Sequence, residues 1–179
     1  MPSKRTSLTG IAIGIAIVQT VLSVPALAGS NPVRVPQWTV EVNRIDAGGL
    51  NIAPEFTVAI YENLAIELTK EKQFSAVLRS GDSGANGVSN LLILKTTIES
   101  YTPGSETKRA VTTVAGATKL NVRSQLCTKD GQVVLQRVVD GNVRFFGGNL
   151  RATHNLARNV VKAIKQGSLP DPAPSNEAQ

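Results

Sequence analysis

The chain contains few residues of the types that most often build catalytic and metal sites. Its 179 residues include one cysteine, Cys127, and one histidine, His154. A single cysteine excludes an intramolecular disulfide, and one residue of each type excludes a zinc site built from several Cys and His ligands. A Ser-His-Asp relay would depend on His154, and the sequence has no G-x-S-x-G motif. We therefore predict no catalytic residues, no metal and no cofactor.

The N-terminal residues have the three parts of an export signal. Lys4 and Arg5 precede an uncharged, largely apolar run over 8–22, and residues 26–28 read Ala-Leu-Ala, the small-x-small pattern that signal peptidase cleaves. The run of about 15 residues is shorter than the roughly 20 that a membrane-spanning helix needs. We predict a cleavable signal peptide over 1–28 and a periplasmic or secreted protein that begins at Gly29. The alternative is a retained membrane anchor.

Aromatic residues are scarce and basic residues are in excess. Aromatics make up 4% of the chain, and cleavage after residue 28 leaves 17 basic against 13 acidic residues, a net charge of +4. Proteins that bind single-stranded nucleic acid stack bases on aromatic side chains, so we expect no nucleic-acid partner. On an exported protein, a moderate positive charge favours anionic surfaces of the cell envelope.

Hydrophobic periodicity predicts a single α+β domain over 29–166. Apolar residues recur every fourth position from Phe56 to Leu68, which predicts an amphipathic helix over 54–71, and a second helix is predicted over 149–165. Alternating polarity predicts strands at 37–45, 73–79, 91–101, about 110–126 and 133–139. Because most links between strands are short, we expect a mostly antiparallel sheet with both helices on one face, a two-layer sandwich. The tail over 167–179 is rich in proline and predicted to be disordered.

Cys127 falls within the alternating pattern of a strand. We expect a small, half-buried apolar side chain at this position. The alternative is a reactive thiol or a disulfide between two chains. Its distance from Gly29 excludes the lipid-bearing cysteine of a mature lipoprotein.

Four short motifs between Phe74 and Ile164 resemble a family of bacterial envelope proteins known as domain of unknown function 4410. They are the helix-to-strand step at 72–77, the Tyr-Thr-Pro-Gly-Ser turn at 101–105 with Arg109 after it, the Ala-Gly-Ala run at 115–117 with the turn at 129–131, and the Gly-Gly step at 147–148. The resemblance implies an exported protein without established catalytic residues. The chain differs from the family in having no lipid-bearing cysteine and in having only Gly116 where the family has a glycine-rich run.

The second predicted helix carries a stripe of basic residues on one face. Their spacing of 3, 4, 4 and 3 places them on one side of the helix, and no acidic residue of that helix neutralises them. The stripe, called the basic stripe below, consists of Arg151, His154, Arg158, Lys162 and Lys165. One interpretation is the solvated face of a helix that packs on the core. The other is a contact surface for an anionic partner.

Three functional hypotheses follow from these observations. The first is an exported, non-enzymatic binding or assembly module with a protein partner in the envelope, which an edge strand could also accept. The second is an accessory protein that binds anionic lipid or polysaccharide through the basic stripe. The third is a hydrolase that uses carboxylates, for which Glu99, Glu106 and Asp140 are the candidates.

Overall fold

The protein is described by a computed structural model over residues 37–105, 107–108, 116–142 and 150–172. The predicted signal peptide, Glu106, Arg109, the Gly-Gly step at 147–148 and the last seven residues lie outside the described residues. In chain order, the elements are β1 (Thr39–Val42), α1 (Pro54–Glu71), β2 (Val77–Arg79), a 3₁₀ turn (Ser83–Ala85), β3 (Leu91–Thr102), β4 (Lys119–Thr128), β5 (Val133–Asp140) and α2 (Arg151–Lys165).

The strands form one five-stranded sheet in the order β2-β1-β3-β4-β5. β1 is parallel to both of its neighbours, whereas β3–β4 and β4–β5 are antiparallel. The parallel pairs arise because α1 carries the chain back before β2 begins and the connection over 80–90 carries it back before β3 begins. The turn at Gly131 (φ +89°), by contrast, joins β4 directly to β5. The α+β prediction is confirmed. The sheet is mixed, with its two longest pairings antiparallel.

Both helices bury one side against the same face of the sheet. Pro54 occupies the first turn of α1, where a missing N–H costs nothing, and the helix ends at Lys72 in a left-handed conformation. The side chains that are fully buried or nearly so include Ile60, Leu64, Leu68, Leu156, Val160 and Ile164. The helices also touch each other through a hydrogen bond of 2.9 Å from Asn63 Nδ2 to Thr153 Oγ1.

The contact between α2 and the end of β5 leaves no room for a side chain at Gly141. A Cβ atom there would lie 2.5 Å from the carbonyl oxygen of Ala152 and 2.5 Å from Leu156 Cβ. Only glycine therefore allows α2 to pack this closely on the strand.

The opposite face of the sheet is largely polar over its exposed part, although Val138 of β5, the register partner of Arg123, is exposed there as well. Arg123 of β4 forms an ion pair with Glu99 of β3, and Gln125 Nε2 donates a hydrogen bond of 2.6 Å to Gln136 Oε1 of β5. Cys127 is more buried than predicted, with 2% of its surface exposed, and its thiol is free. Its register partner is Ile93 on β3. The thiol is thus inaccessible to a second chain while the fold is intact.

The first part of the predicted disordered tail is held against the domain. Trp38 Nε1 donates a hydrogen bond of 2.8 Å to the carbonyl oxygen of Pro170, and Leu169 packs against the core. Residues 173–179 lie outside the described residues. No helix among the described ranges combines the length and apolar character that crossing a membrane requires.

Candidate functional site

A polar groove of about 520 Å³ lies where α2, the C-terminal half of α1 and the end of β5 meet. Its charged lining consists of three cations and three carboxylates. They are Arg158, Lys162, Lys165, Glu67, Glu71 and Asp140. The carboxylates come from α1 and β5, so the basic stripe has acidic neighbours from elements distant in sequence.

Ion pairs neutralise part of this charge. Lys165 Nζ lies 2.8 Å from Glu71 Oε2, and Glu67 is paired with Lys70 at 2.6 Å. Arg158 and Lys162 form no ion pair within the described ranges. These two cations, one helical turn apart, are therefore the ones available to an anion.

The structure divides the basic stripe between the groove and the surrounding surface. Arg158, Lys162 and Lys165 line the groove, whereas Arg151 is exposed outside it and His154 is half-buried. The anionic contact surface stays a prediction.

Asparagines that the sequence analysis did not select form one wall of the groove. Asn142 Nδ2 donates to Asp140 Oδ2 at 2.9 Å, and Asn142 Oδ1 accepts from the backbone N–H of Leu120 at 3.2 Å. From α2, Asn155 and Asn159 donate to the carbonyl oxygens of Asn142 and Asp140, at 3.0 and 2.8 Å. These bonds fix α2 to the end of β5. The only sequence signal for them is the i,i+4 spacing of Asn155 and Asn159.

A second concave feature lies beside the N-terminal half of α1. This α1 cleft, of about 490 Å³, is lined by Arg44, Ile45, Thr57, Val58, Tyr61, Glu62 and Ser80. Its floor is fixed by a hydrogen bond of 3.0 Å from the N–H of Ser80 to the hydroxyl oxygen of Tyr61. Val58 is 58% exposed at its wall, and Ile66, two turns further along α1, is 46% exposed.

An ion pair holds α1 to β2 next to the cleft. The guanidinium of Arg79 donates two hydrogen bonds to the carboxylate of Glu62, one of them 2.7 Å long, and it lies 5.7 Å from the centre of the Tyr61 ring. The hydrogen bond from Arg79 lowers the pKa of Glu62 below its ordinary value. Glu62 is therefore ionised and engaged at neutral pH.

The carboxylates proposed for a hydrolase have other partners. Glu99 is paired with Arg123 on the open face of the sheet, and Asp140 accepts a hydrogen bond from Asn142. The described residues contain no group of three or more His, Cys, Asp or Glu side chains that could hold a metal ion. The hydrolase hypothesis gains no support from these contacts.

Comparison with known proteins identifies likeness of fold but not a family. No protein-family model matches the chain, and no curated protein matches it. A PelC dodecamer from Paraburkholderia phytofirmans, solved as a point variant, is similar with a TM-score of 0.54 and 14% identity, over 73% of this chain and 93% of the PelC chain. A second PelC dodecamer from the same organism gives 0.53 and 14%, over 72% and 92%.

A more distant likeness is to the hypothetical protein CT253 from Chlamydia trachomatis. Its TM-score is 0.42, with 8% identity over 60% of this chain and 73% of that one, too low to support an argument. At 14% identity, the PelC structures establish a shared fold over most of the PelC chain. The family resemblance described above stays a prediction.

Proposed function

We propose that this chain is a non-enzymatic module of the bacterial envelope that acts as an assembly of several copies. The observation that carries the proposal is the fold shared with PelC over 93% of the PelC chain, in structures that are dodecamers. The export signal predicted over 1–28 and the resemblance to the envelope family of unknown function support the location. An envelope protein partner would then be, in the first place, another copy of the chain.

The surfaces of the domain fit a binding or assembly role better than a chemical one. The groove and the α1 cleft are both open to solvent and lined by charged, amide and apolar side chains. Glu99 and Asp140, the two described carboxylates of the hydrolase hypothesis, are held by Arg123 and Asn142. Such surfaces recognise another molecule through shape and charge.

The test is a crosslinked affinity purification from cells that express the full sequence with a C-terminal tag. After crosslinking of the envelope fraction, mass spectrometry should identify the chain itself as the main crosslinked partner. A gel should show products with the masses of several copies. Recovery of a single uncrosslinked chain, or of the chain only in the cytoplasmic fraction, would contradict the proposal.

A second candidate function is the binding of an anionic lipid or polysaccharide in the groove. It is favoured by one observation, that Arg158 and Lys162 hold no ion pair among the described residues while Lys165 does. Two cations one turn apart can contact one phosphate or carboxylate group. The attraction is electrostatic and exposed, so salt should weaken it.

Vesicle sedimentation tests this second function. The purified chain is mixed with phosphatidylcholine vesicles that either contain or lack phosphatidylglycerol, and with an anionic polysaccharide in a separate series. The variant R158A/K162A should lose binding, whereas K95A/K119A, which removes the same charge from exposed positions on the sheet, should retain it. Equal loss of binding in both variants would show that binding depends only on net charge, which would contradict a site in the groove.

A further inference from the structure

The solvent-facing side of α1 carries large apolar residues. Val58 and Ile66 are 58% and 46% exposed, and the α1 cleft beside Val58 adds the partly buried side chains of Ile45 and Tyr61. The outer side of α1 thus mixes exposed apolar side chains with exposed polar ones such as Glu55 and Lys70. Large apolar side chains left exposed next to a cleft are typical of a binding surface. These apolar residues define the α1 patch.

A second apolar patch lies at the opposite end of the sheet. β5 is the outermost strand, and one of its edges has no neighbouring strand among the described residues. Val138 is 61% exposed and Val133 is 46% exposed. A strand of 8 residues with a free edge and exposed valines is a template for association. Val133 and Val138 define the β5 patch.

A row of paired residues crosses the sheet from beside the α1 cleft to Val138 of the β5 patch. Asp46, which follows Arg44 and Ile45 of the cleft, bridges to Thr97; Thr97 pairs with Arg123, and Arg123 pairs with Val138. This cross-strand row therefore runs from the α1 cleft to the exposed Val138. It spans the sheet from one patch to the other.

The two patches also have similar lengths and matching strand directions. Val58 and Ile66 are separated by about 12 Å along the helix axis. Val133 and Val138 are separated by about 14 Å along the strand, because a bulge places them opposite Cys127 and Arg123, four residues apart on β4. β5 runs parallel to β1 and β2, because it is antiparallel to β4, which is antiparallel to β3. Copies related by rotation about an axis parallel to the strands would keep these strands parallel.

We infer that the α1 patch of one copy docks on the β5 patch of a second copy, head to tail. Because two different surfaces of the same chain meet, each copy can bind a neighbour on both sides, which builds a ring or a filament. This inference rests on the proposed multi-copy assembly and names the surfaces that form it.

The first part of the test compares masses by size-exclusion chromatography with light scattering. The chain, expressed from its full sequence, should elute as a multi-copy assembly. The variants V58E/I66E and V133E/V138E should each elute as a single chain. L150E is the matched control, since Leu150 is 55% exposed and lies on neither patch, and it should assemble normally.

The second part mixes the two single-chain variants. Each keeps one intact patch, so a head-to-tail contact predicts a one-to-one dimer and nothing larger. A contact between two identical patches would give a different result. A variant would then either assemble through its intact patch without being mixed, or remain a single chain even after mixing. Absence of the dimer in the mixture would overturn the inference.

The outcomes separate the inference from the function on which it rests. A single chain for the unmodified protein would contradict the proposed assembly, and the inference with it. An assembly that survives in both double variants would overturn the inference alone. The corresponding serine variants, V58S/I66S and V133S/V138S, are measured in parallel, and thermal melting confirms that every variant is folded.

Discussion

The two helices cover the same face of the sheet but differ on their outer sides. α2 turns basic and amide side chains outward, including Arg158, Asn159 and Lys162, whereas α1 turns Val58 and Ile66 outward. Water solvates the outer side of α2 at little cost, but the exposed apolar side of α1 gains free energy when a partner covers it. The difference indicates that the outer side of α2 is suited to contact with water, whereas the outer side of α1 is suited to contact with a partner.

The inner sides of the two helices should contribute equally to stability. Substitutions there are expected to have the largest effect on the free energy of unfolding. Leu64 of α1 and Leu156 of α2 are both fully buried. Leu64→Ala and Leu156→Ala should each lower the free energy of unfolding by about 2–5 kcal/mol, through lost burial and an unfilled cavity. Denaturant titration of each variant measures the loss. A loss confined to one helix would mean that the inner sides differ as well.

The close packing of α2 on the end of β5 should have the next largest effect on stability. Gly141→Ala should cost about 2 kcal/mol, because the added methyl group meets Ala152 and Leu156 and forces the helix outward. Gly87→Ala is the control, since a Cβ there meets nothing within 4 Å. If both variants unfold at the same denaturant concentration, α2 has more freedom than its contacts indicate.

The contact between the helices should have a smaller effect. Asn63→Ala and Thr153→Val each remove one partner of the hydrogen bond that joins α1 to α2, so each should lower the free energy of unfolding by about 1 kcal/mol. The double variant should lose less than the sum of the two. Additive losses would show that the hydrogen bond does not couple the helices.

The smallest effect is expected at the ion pair between α1 and β2. Because Arg79 lowers the pKa of Glu62, the pair stabilises the fold above the pKa that Glu62 has in the unfolded chain. That contribution is lost as the pH falls through the lowered pKa of the folded state. Glu62→Gln should therefore reduce stability near neutral pH and leave it unchanged in strong acid, as measured by denaturant midpoints across the acid range. A constant difference at all pH values would contradict this assignment.

Local sequence patterns predicted the helices and strands better than they predicted how these elements pair and pack. The helix predicted over 54–71 matches α1, because Pro54 and the four-residue apolar spacing both act within one helix. β2 is shorter than the predicted 73–79, since only Val77–Arg79 pair with β1. The parallel pairing of β1 with β3 depends on strands far apart in sequence, which no local pattern reports.

The candidate site also combines features that local sequence predicts with features that depend on packing between distant elements. The basic stripe was evident from spacing along α2, but Glu71 and Asp140 approach it only through the packing of α1 and β5. The apolar outer side of α1 was visible as Val58 and Ile66 in the sequence. It was obscured by the stronger pattern of the buried side, and only the exposed area of these residues in the fold makes it a candidate interface.

A cryo-electron microscopy structure of the unmodified assembly tests the central claim most directly. The account predicts that Val58, 58% exposed in the single chain, is buried in the assembly against Val138 of the neighbouring copy. It further predicts that the outer side of α2 stays open to solvent. An assembly in which Val58 and Ile66 remain as exposed as in the single chain would contradict the account.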